Sequence, residues 1–520
     1  MTVKFTVPMP NIWVVLALGI LARIIALQID FSFTNDVLTF QAWAIQLHNY
    51  GFRAFYLADT FSDYPPVYMY VLFLLGWFRS LFEWPVLGPV FNFFTFLPAM
   101  AADLVIGYII YRMFAEKDKA KALLFSAAWV LNPAIIFISS IWGQVESVFS
   151  VILLLSLIKV RQQKLLPGYI LFGIAILTKP QSLFLAPIYL YSALKQISGH
   201  IGKPTKNRVY YLMGSVVAAL GVMIVLSIPF GLRETFDIVV SGADLRPFAS
   251  INAFNFWGFF GGNWVYWGNT FIGVSYFTWG MVILVSIILG ALYALHIDYS
   301  RHGGRHFYLI AAALFVLIFV FSVRMHERYL FPGLLFLLIY FAESFNRRLL
   351  WLYGAFSVTY FLNCYYVILW LQGGGDISVF DVALPVISFA NIVFGLLLIW
   401  VIIQEIWPYK NVEAEGRQHG PPLMSKGDWG FLGALIVVYS IVAFINLGNI
   451  RSPQTAFAPD ETSQGEIIIY LNEPQFVSRF QYMMGSRHDR GFSLLDAHGN
   501  PIYYTTGSDV FAWHEGGINA

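Results

Sequence analysis

The chain has 520 residues, of which 58% are apolar and only 12% charged, about half the roughly 25% of an ordinary soluble domain. With a mean hydropathy of +0.67, much of it must have lipid as its solvent. A net charge of +2 gives nucleic acid no electrostatic footprint, and a single cysteine, Cys364, excludes an intrachain disulfide and a thiolate metal site.

The first apolar run, Ile12 to Ile29, is interrupted by Arg23. It is long for a signal-peptide core and lacks a small-residue cleavage site, so it reads as an uncleaved first span. Further runs long enough to span follow at 65–82, 88–113, 122–140, 165–196 (in pieces broken by Lys179-Pro180), 210–230, 271–296, 307–322, 329–343, 349–370, 380–406 and 429–447. Basic loops lie between them at 112–121, 159–164, 195–208, 301–305, 347–348 and 410–426, and the positive-inside bias places these in the cytoplasm. Loops 30–64, 231–265, 371–379 and everything after Leu447 then face outward. If 65–82 and 88–113 both cross, the 112–121 loop lands outside against its charge, so one of the two reads as re-entrant or interfacial. The expected architecture is an all-α polytopic membrane protein with about 11–13 transmembrane helices.

From Gly448 the character changes. Glu466 to Leu471 and Phe476 to Tyr482 are short and strand-like, separated by polar turns. Residues 448–520 are therefore expected to form a small extracytoplasmic β domain beside the transmembrane domain of residues 1–447. About 70 residues is near the lower limit for an independent core.

Polar residues in costly places mark candidate chemistry. Asp36 follows Asn35 at the head of a helix-like stretch, and the same loop closes with Asp63-Tyr64-Pro65-Pro66. A carboxylate in a first turn also simply suits the helix dipole. Gln144 and Glu146 sit in Trp142-Gly143-Gln144-Val145-Glu146 without a cationic neighbour in sequence, an intramembrane pair unless the segment is a solvated interfacial loop. Lys179, followed by Pro180 and Gln181, breaks an apolar segment, either snorkelling to the interface or presenting a cation from a broken helix. Arg324, His326, Glu327 and Arg328 crowd five residues before Tyr329. A plain cytoplasmic basic loop fits them poorly, because loop 301–305 is already inside. An outward basic cluster suits an anion such as a lipid phosphate. The aromatics of 250–257, ending in Trp257, suit sugar rings or an interfacial belt.

A carboxylate facing a cation cluster is what transfer from a lipid phosphate to a hydroxyl requires. The attacking hydroxyl must lose a proton, and the departing phosphate needs cations aimed at it.

Taken in order, Asp36, Asp63-Tyr64-Pro65-Pro66, Ala102-Asp103-Leu104, Trp142-Gly143-Gln144, Lys179-Pro180-Gln181 and His326-Glu327 resemble the C-type (GT-C) glycosyltransferases. The likeness is closest to the polyprenyl-phosphate-sugar-dependent glucosyltransferases of N-glycan assembly. It extends to bacterial proteins related to the second mannosyltransferase of GPI-anchor synthesis, and runs from about residue 12 to 365. The resemblance implies a GT-C fold, Asp36 as catalytic base and His326 as a contact for the donor phosphate, with Asp63, Gln144 and Lys179 beside them. Tyr64, Asp103, Glu146, Gln181, Trp257, Arg324, Glu327, Arg328 and Tyr329 complete the candidate substrate contacts. The implied reaction is inverting transfer of a hexose, mannose or glucose, from a polyprenyl-phosphate-linked donor to a lipid-linked, protein or cell-envelope acceptor, on the outer face of a bacterial plasma membrane. The partners are thus membrane lipid, the lipid-linked sugar and a glycan or cell-envelope acceptor, without nucleic acid.

No cofactor and no metal site is expected. The first loop has no Asp-x-Asp, and Glu146 stands where relatives more often have Asp, so a divalent metal has no support. The tail from Gly465 to Tyr504 looks like the first half of a galactose-binding-like sandwich. The alternative function is a lipid-linked-sugar flippase or secondary transporter, which also needs intramembrane Lys, Glu and His. Transporters commonly carry inverted repeats, and the halves show no internal duplication.

Overall fold

The computed structural model describes residues 11–29, 34–57, 62–197, 206–241, 247–372 and 378–407, and in the tail the strand segments named below. The chain folds mostly into helices: α1 (Ile12–Ala26), α2 (Thr34–Leu57), α3 (Pro66–Phe82), α4 (Pro89–Phe114), α5 (Lys119–Val130), α6 (Pro133–Ile136), α7 (Glu146–Arg161), α8 (Leu165–Thr178), α9 (Ala186–Ile197), α10 (Lys206–Ser227) and α11 (Leu232–Ser241). After strand β1 (Ser250–Ile251) come α12 (Phe256–Phe259), a small hairpin of β2 (Thr270–Phe271) and β3 (Val274–Ser275), α13 (Tyr276–His302) and α14 (Phe307–Phe321). Strand β4 (Met325–His326) precedes α15 (Phe331–Ser344), α16 (Arg347–Gln372) and α17 (Ser378–Ile406).

Among the described residues, five helices are long and apolar enough to cross a membrane: α4, α10, α13, α16 and α17 from Val382. Four shorter apolar helices, α1, α3, α8 and α14, accompany them. This differs from a dozen uniform spans, because several apolar runs are broken by polar or proline-containing segments. The 122–140 run is one case. Asn132 stops α5, caps α6 by accepting from the Ala134 N–H at 2.9 Å, and donates to Tyr353 and Ser357 on α16. Pro133 occupies the first helical position, where its missing N–H costs nothing, and the two arms meet at a 43° bend. A second case is Lys179-Pro180, where α8 gives way to the 3₁₀ turn Pro180–Leu185, as the sequence suggests.

The sequence reading had no separate span at α7, which the structure forms over 16 residues. That helix bears on the crossing problem around 65–113. The ends of helices carrying basic residues meet one another: Arg161 of α7 pairs with Glu343 of α15, Lys121 of α5 lies over Phe345, and Lys195 of α9 over Tyr299 of α13. His306 contacts Asp298 at 2.7 Å, and the Glu405 carboxylate of α17 at 3.8 Å, in the same group of ends. The opposite ends carry the polar segments described below. α3 packs antiparallel along α2, and Gly76 permits the approach: a Cβ there would fall 2.0 Å from the Ala44 carbonyl oxygen.

The core sits around α14 and α15, whose side chains are almost all buried. An all-round apolar helix belongs in such a place. α10, α13 and α17 instead keep large apolar residues exposed, among them Val217, Ile224, Val282, Leu289, Leu396 and Trp400. In the tail, β5 (Glu461–Ser463) pairs with β6 (Glu466–Ile468), β7 (Arg479–Met484) with β10 (Ala512–Gly517), and β8 (Phe492–Leu495) with β9 (Pro501–Thr505), all antiparallel. The remainder of the expected β domain, and the expected span at 429–447, lie outside the described residues.

Candidate active site

The site begins with a local irregularity. Residues Phe137–Trp142 form a π-turn, a form that appears mostly as single turns at functional sites. It closes on Gly143 at φ 75°, and the Gln144 N–H returns to the Ile138 carbonyl at 2.9 Å. A Cβ on Gly143 would lie 2.1 Å from a ring carbon of Phe96, so glycine is required by both backbone angle and space. The tight turn aims its two flanking side chains at one atom. Trp142 Nε1 donates to Asp36 Oδ2 at 2.9 Å, and Gln144 Nε2 donates to the same oxygen at 2.6 Å.

Asp36, in the first turn of α2, also has Arg328 Nη1 at 3.6 Å. The Arg328 guanidinium lies over the Trp142 ring, 5.1 Å from its centroid, and its Nε is 3.1 Å from Glu327 Oε1. His326 Nδ1 lies 3.8 Å from Glu327 Oε2. Burial works against the Glu327 carboxylate, but His326 and the Arg328 charge prevail and hold its pKa down at about 2. Burial likewise opposes the Arg328 cation, and Glu327, Glu146 and Asp36 together push its pKa well up.

Lys179 and Glu146 form a second, buried ion pair. Lys179 leaves α8 in an extended conformation, which the following Pro180 favours. Its ammonium lies 5.6 Å from the Tyr64 ring centroid and 5.7 Å from that of Phe149. Tyr64 is in turn packed against Phe40 and Trp43, and its carbonyl accepts from Tyr56 at 2.7 Å. Burial first, then the charges of Glu146, Asp63 and Asp36, raise the Tyr64 hydroxyl well above its ordinary range, against the opposing effect of Arg328. Asp63, half-buried, acts electrostatically on Lys179 as well. Asp36, Asp63, Tyr64, Gln144, Glu146, Lys179, His326, Glu327 and Arg328 thus form one electrostatic neighbourhood from five separate stretches of chain. Tyr329 joins its edge, packing against His326 and Phe184. Gln181 is half-buried, with no partner for Oε1 among the described residues.

Three expected contacts are placed otherwise. Asp103 is fully buried and spent on structure: it pairs with Arg23 at 2.8 Å and accepts from Ser147 Oγ at 2.5 Å. A buried carboxylate needs such partners, and Arg23 is itself tied to the Gly19 and Val130 carbonyls. Trp257, expected to meet a sugar ring or to lie in an interfacial belt, is 1% exposed. It packs edge-on against Phe271 and Tyr276 and donates to the Phe321 carbonyl at 2.9 Å. Arg324 lies over the Trp267 ring at 4.5 Å, on the aromatic loop.

That loop is joined to the basic segment. β1 pairs in parallel with β4, Ser250 opposite Met325 and Ile251 opposite His326. Asn252, at φ 55°, bridges to His326 and is held by Asn263 and by Asn363 of α16. Asn391 of α17 and Asn255 fasten the same loop through the Phe254 and Phe319 carbonyls. The sequence reading passed over these asparagines, since isolated Asn residues in loops and helices form no pattern. Trp142 it quoted only as part of a motif. Its place beside Gly143 was the available signal. Among the described residues no three His, Cys, Asp or Glu side chains gather as a metal-binding group.

Residues 58–249 match the ALG6, ALG8 glycosyltransferase family. It is a GT-C-type family that includes dolichyl-phosphate-glucose glucosyltransferases, and the resemblance read from the motifs is borne out. The family implies a glycosyltransferase that uses a lipid-linked sugar. The matched stretch contains Asp63, Tyr64, the 142–146 turn and Lys179, while Asp36 and the 324–329 segment join it in space from outside. With its apolar helices, the chain fits an integral membrane protein.

Proposed function

We propose that this chain is an inverting glycosyltransferase that moves a hexose, mannose or glucose, from a polyprenyl-phosphate-linked donor to an acceptor hydroxyl. The acceptor is lipid-linked, a protein or a cell-envelope glycan. The observation that carries the reading is the meeting of Asp36 with Arg328, 3.6 Å apart, beside the His326–Glu327 pair. A carboxylate suited to act as base and a cation suited to a phosphate then lie side by side.

In the step, the acceptor oxygen attacks the anomeric carbon while its proton passes to Asp36. The bond from that carbon to the phosphate oxygen breaks on the opposite side, so the configuration inverts. The phosphate leaves with the electron pair, and Arg328 and His326 face the charge it gains. Trp142 and Gln144 hold the carboxylate in direction, which restricts the geometries that must be searched. The step as written uses side chains alone and no cofactor.

The basic helix ends gather opposite this site, so the positive-inside bias supports an extracytoplasmic active site. With α3 lying along α2 instead of crossing, and α7 adding a crossing, loop 112–121 falls on the basic side. That supports a transmembrane count within 11–13.

Transfer from a synthetic polyprenyl-phosphate hexose tests the reading. Asp36→Asn is expected to lose about 10²- to 10⁴-fold in kcat. Full activity in that variant would remove Asp36 from the base role.

A further inference from the structure

The 142–146 turn carries two acceptors that no described residue satisfies. Gln144 Nε2 must face Asp36, because a carboxylate can only accept, so the orientation of the amide is fixed by its partner. Its Oε1 then points elsewhere and has no hydrogen-bond partner among the described residues, although the residue is 1% exposed. Glu146 repeats the arrangement. Oε1 takes the Lys179 ammonium, while Oε2 has no partner among the described residues, again at 1% exposure. Gln181, following Lys179-Pro180, leaves its own Oε1 unpartnered. Buried polar atoms are ordinarily paired, so each exception calls for an explanation.

All three are acceptors, and that decides what can satisfy them. A phosphate brings only acceptors and negative charge, and belongs with Arg328 and His326. A sugar hydroxyl brings a donor. A carboxylate on the sugar would set an anion against Glu146, whose ion-pair partner Lys179 is already engaged by its other oxygen. We infer that Gln144 Oε1 and Glu146 Oε2 read hydroxyl groups of the transferred sugar, and that this subsite takes an uncharged hexose and rejects a hexuronic acid. The inference rests on the glycosyltransferase reading above and specifies how that site recognises its donor. It divides the site by polarity, with cations for the phosphate on one side and bare acceptors for the ring hydroxyls on the other.

The experiment uses the full-length protein and a set of synthetic polyprenyl-phosphate donors: the parent hexose, its monodeoxy analogues and the corresponding hexuronate. With wild type, at least one monodeoxy donor is expected to lose about 10- to 100-fold in kcat/KM, and the hexuronate to show no transfer. In Glu146→Gln the penalty at one of these positions should shrink at least about fivefold, because the charged acceptor that read it is gone. Monodeoxy donors that all react within about twofold of the parent, or efficient hexuronate transfer, would overturn the subsite. So would an unchanged pattern of penalties in a folded Glu146→Gln. Should that variant fail to accumulate, the wild-type donor series decides alone. Absence of transfer from every hexose donor is a different result, which overturns the glycosyltransferase reading and this inference with it.

Discussion

Arg328 shows what residue-scale reading reaches and where it stops. Sequence places Arg324, His326 and Arg328 within five residues, three cations of equal promise. Arg328 meets Asp36, while Arg324 lies over Trp267 and His326 lies beside Glu327. Guanidinium geometry matters here, since one planar group serves Asp36, Glu327 and the Trp142 face together. Lysine keeps the charge but cannot hold that arrangement. Arg328→Lys is expected to lose about tenfold in kcat, and Arg328→Gln about 10²- to 10³-fold. Steady-state kinetics on both variants checks this, and equal losses would show that charge contributes nothing beyond shape.

At the scale of the element, the site depends on a turn and a buried pair that hold it from behind. Gly143→Ala must bear a left-handed backbone, about 1–2 kcal/mol for a residue with a Cβ, and a clash with Phe96. The turn should relax and draw Trp142 and Gln144 off Asp36, lowering kcat at least about tenfold with helical content by circular dichroism unchanged. A Gly143→Ala, Phe96→Leu double variant that recovers part of the loss would assign that part to the clash. Arg23 and Asp103 act one layer deeper, tying α1 and α4 to Ser147 at the head of α7. Arg23→Leu strands a fully buried carboxylate and is expected to cost about 3–5 kcal/mol. Replacing both partners with Leu should restore much of that, read as thermal unfolding in one detergent. A double variant no more stable than the single would rule out the unpaired charge as the cause. Asp103 was legible as an unusual intramembrane acid, but its partner sits 80 positions away and its role could not be read from its own segment.

For the whole molecule, lipid is the solvent of the outer helices. α10 exposes Val217, Ile224 and Val225, whereas the residues it buries are Leu212, Ser215, Ala219 and Ser227. A lysine at the middle of such a face costs about 2.5–3.5 kcal/mol on insertion scales. Ile224→Lys should therefore reduce the membrane-integrated fraction of the protein, measured by carbonate extraction and immunoblot, whereas Ile224→Leu should not. Equal integration of the two would remove that face from contact with lipid.

Sequence alone determined that the chain lives in lipid, because composition and run length are local sums that no fold can alter. It also marked the short segments that make up the candidate site, since charge is rare enough here that each exception stands out. Broken elements were partly legible: Pro180 announced its break, while the π-turn at 137–142 holds no proline to mark it. Tertiary structure decided which of the marked residues meet. Asp36, Gln144, Lys179 and Arg328 come from stretches nearly 300 positions apart, and their pairing depends on helix bends and one left-handed glycine. It moved Trp257 into the loop core and Asp103 into the scaffold, because burial and partners are properties of the packed bundle and not of any segment. It also left Gln144 Oε1 and Glu146 Oε2 without partners among the described residues, which no single segment of sequence reveals.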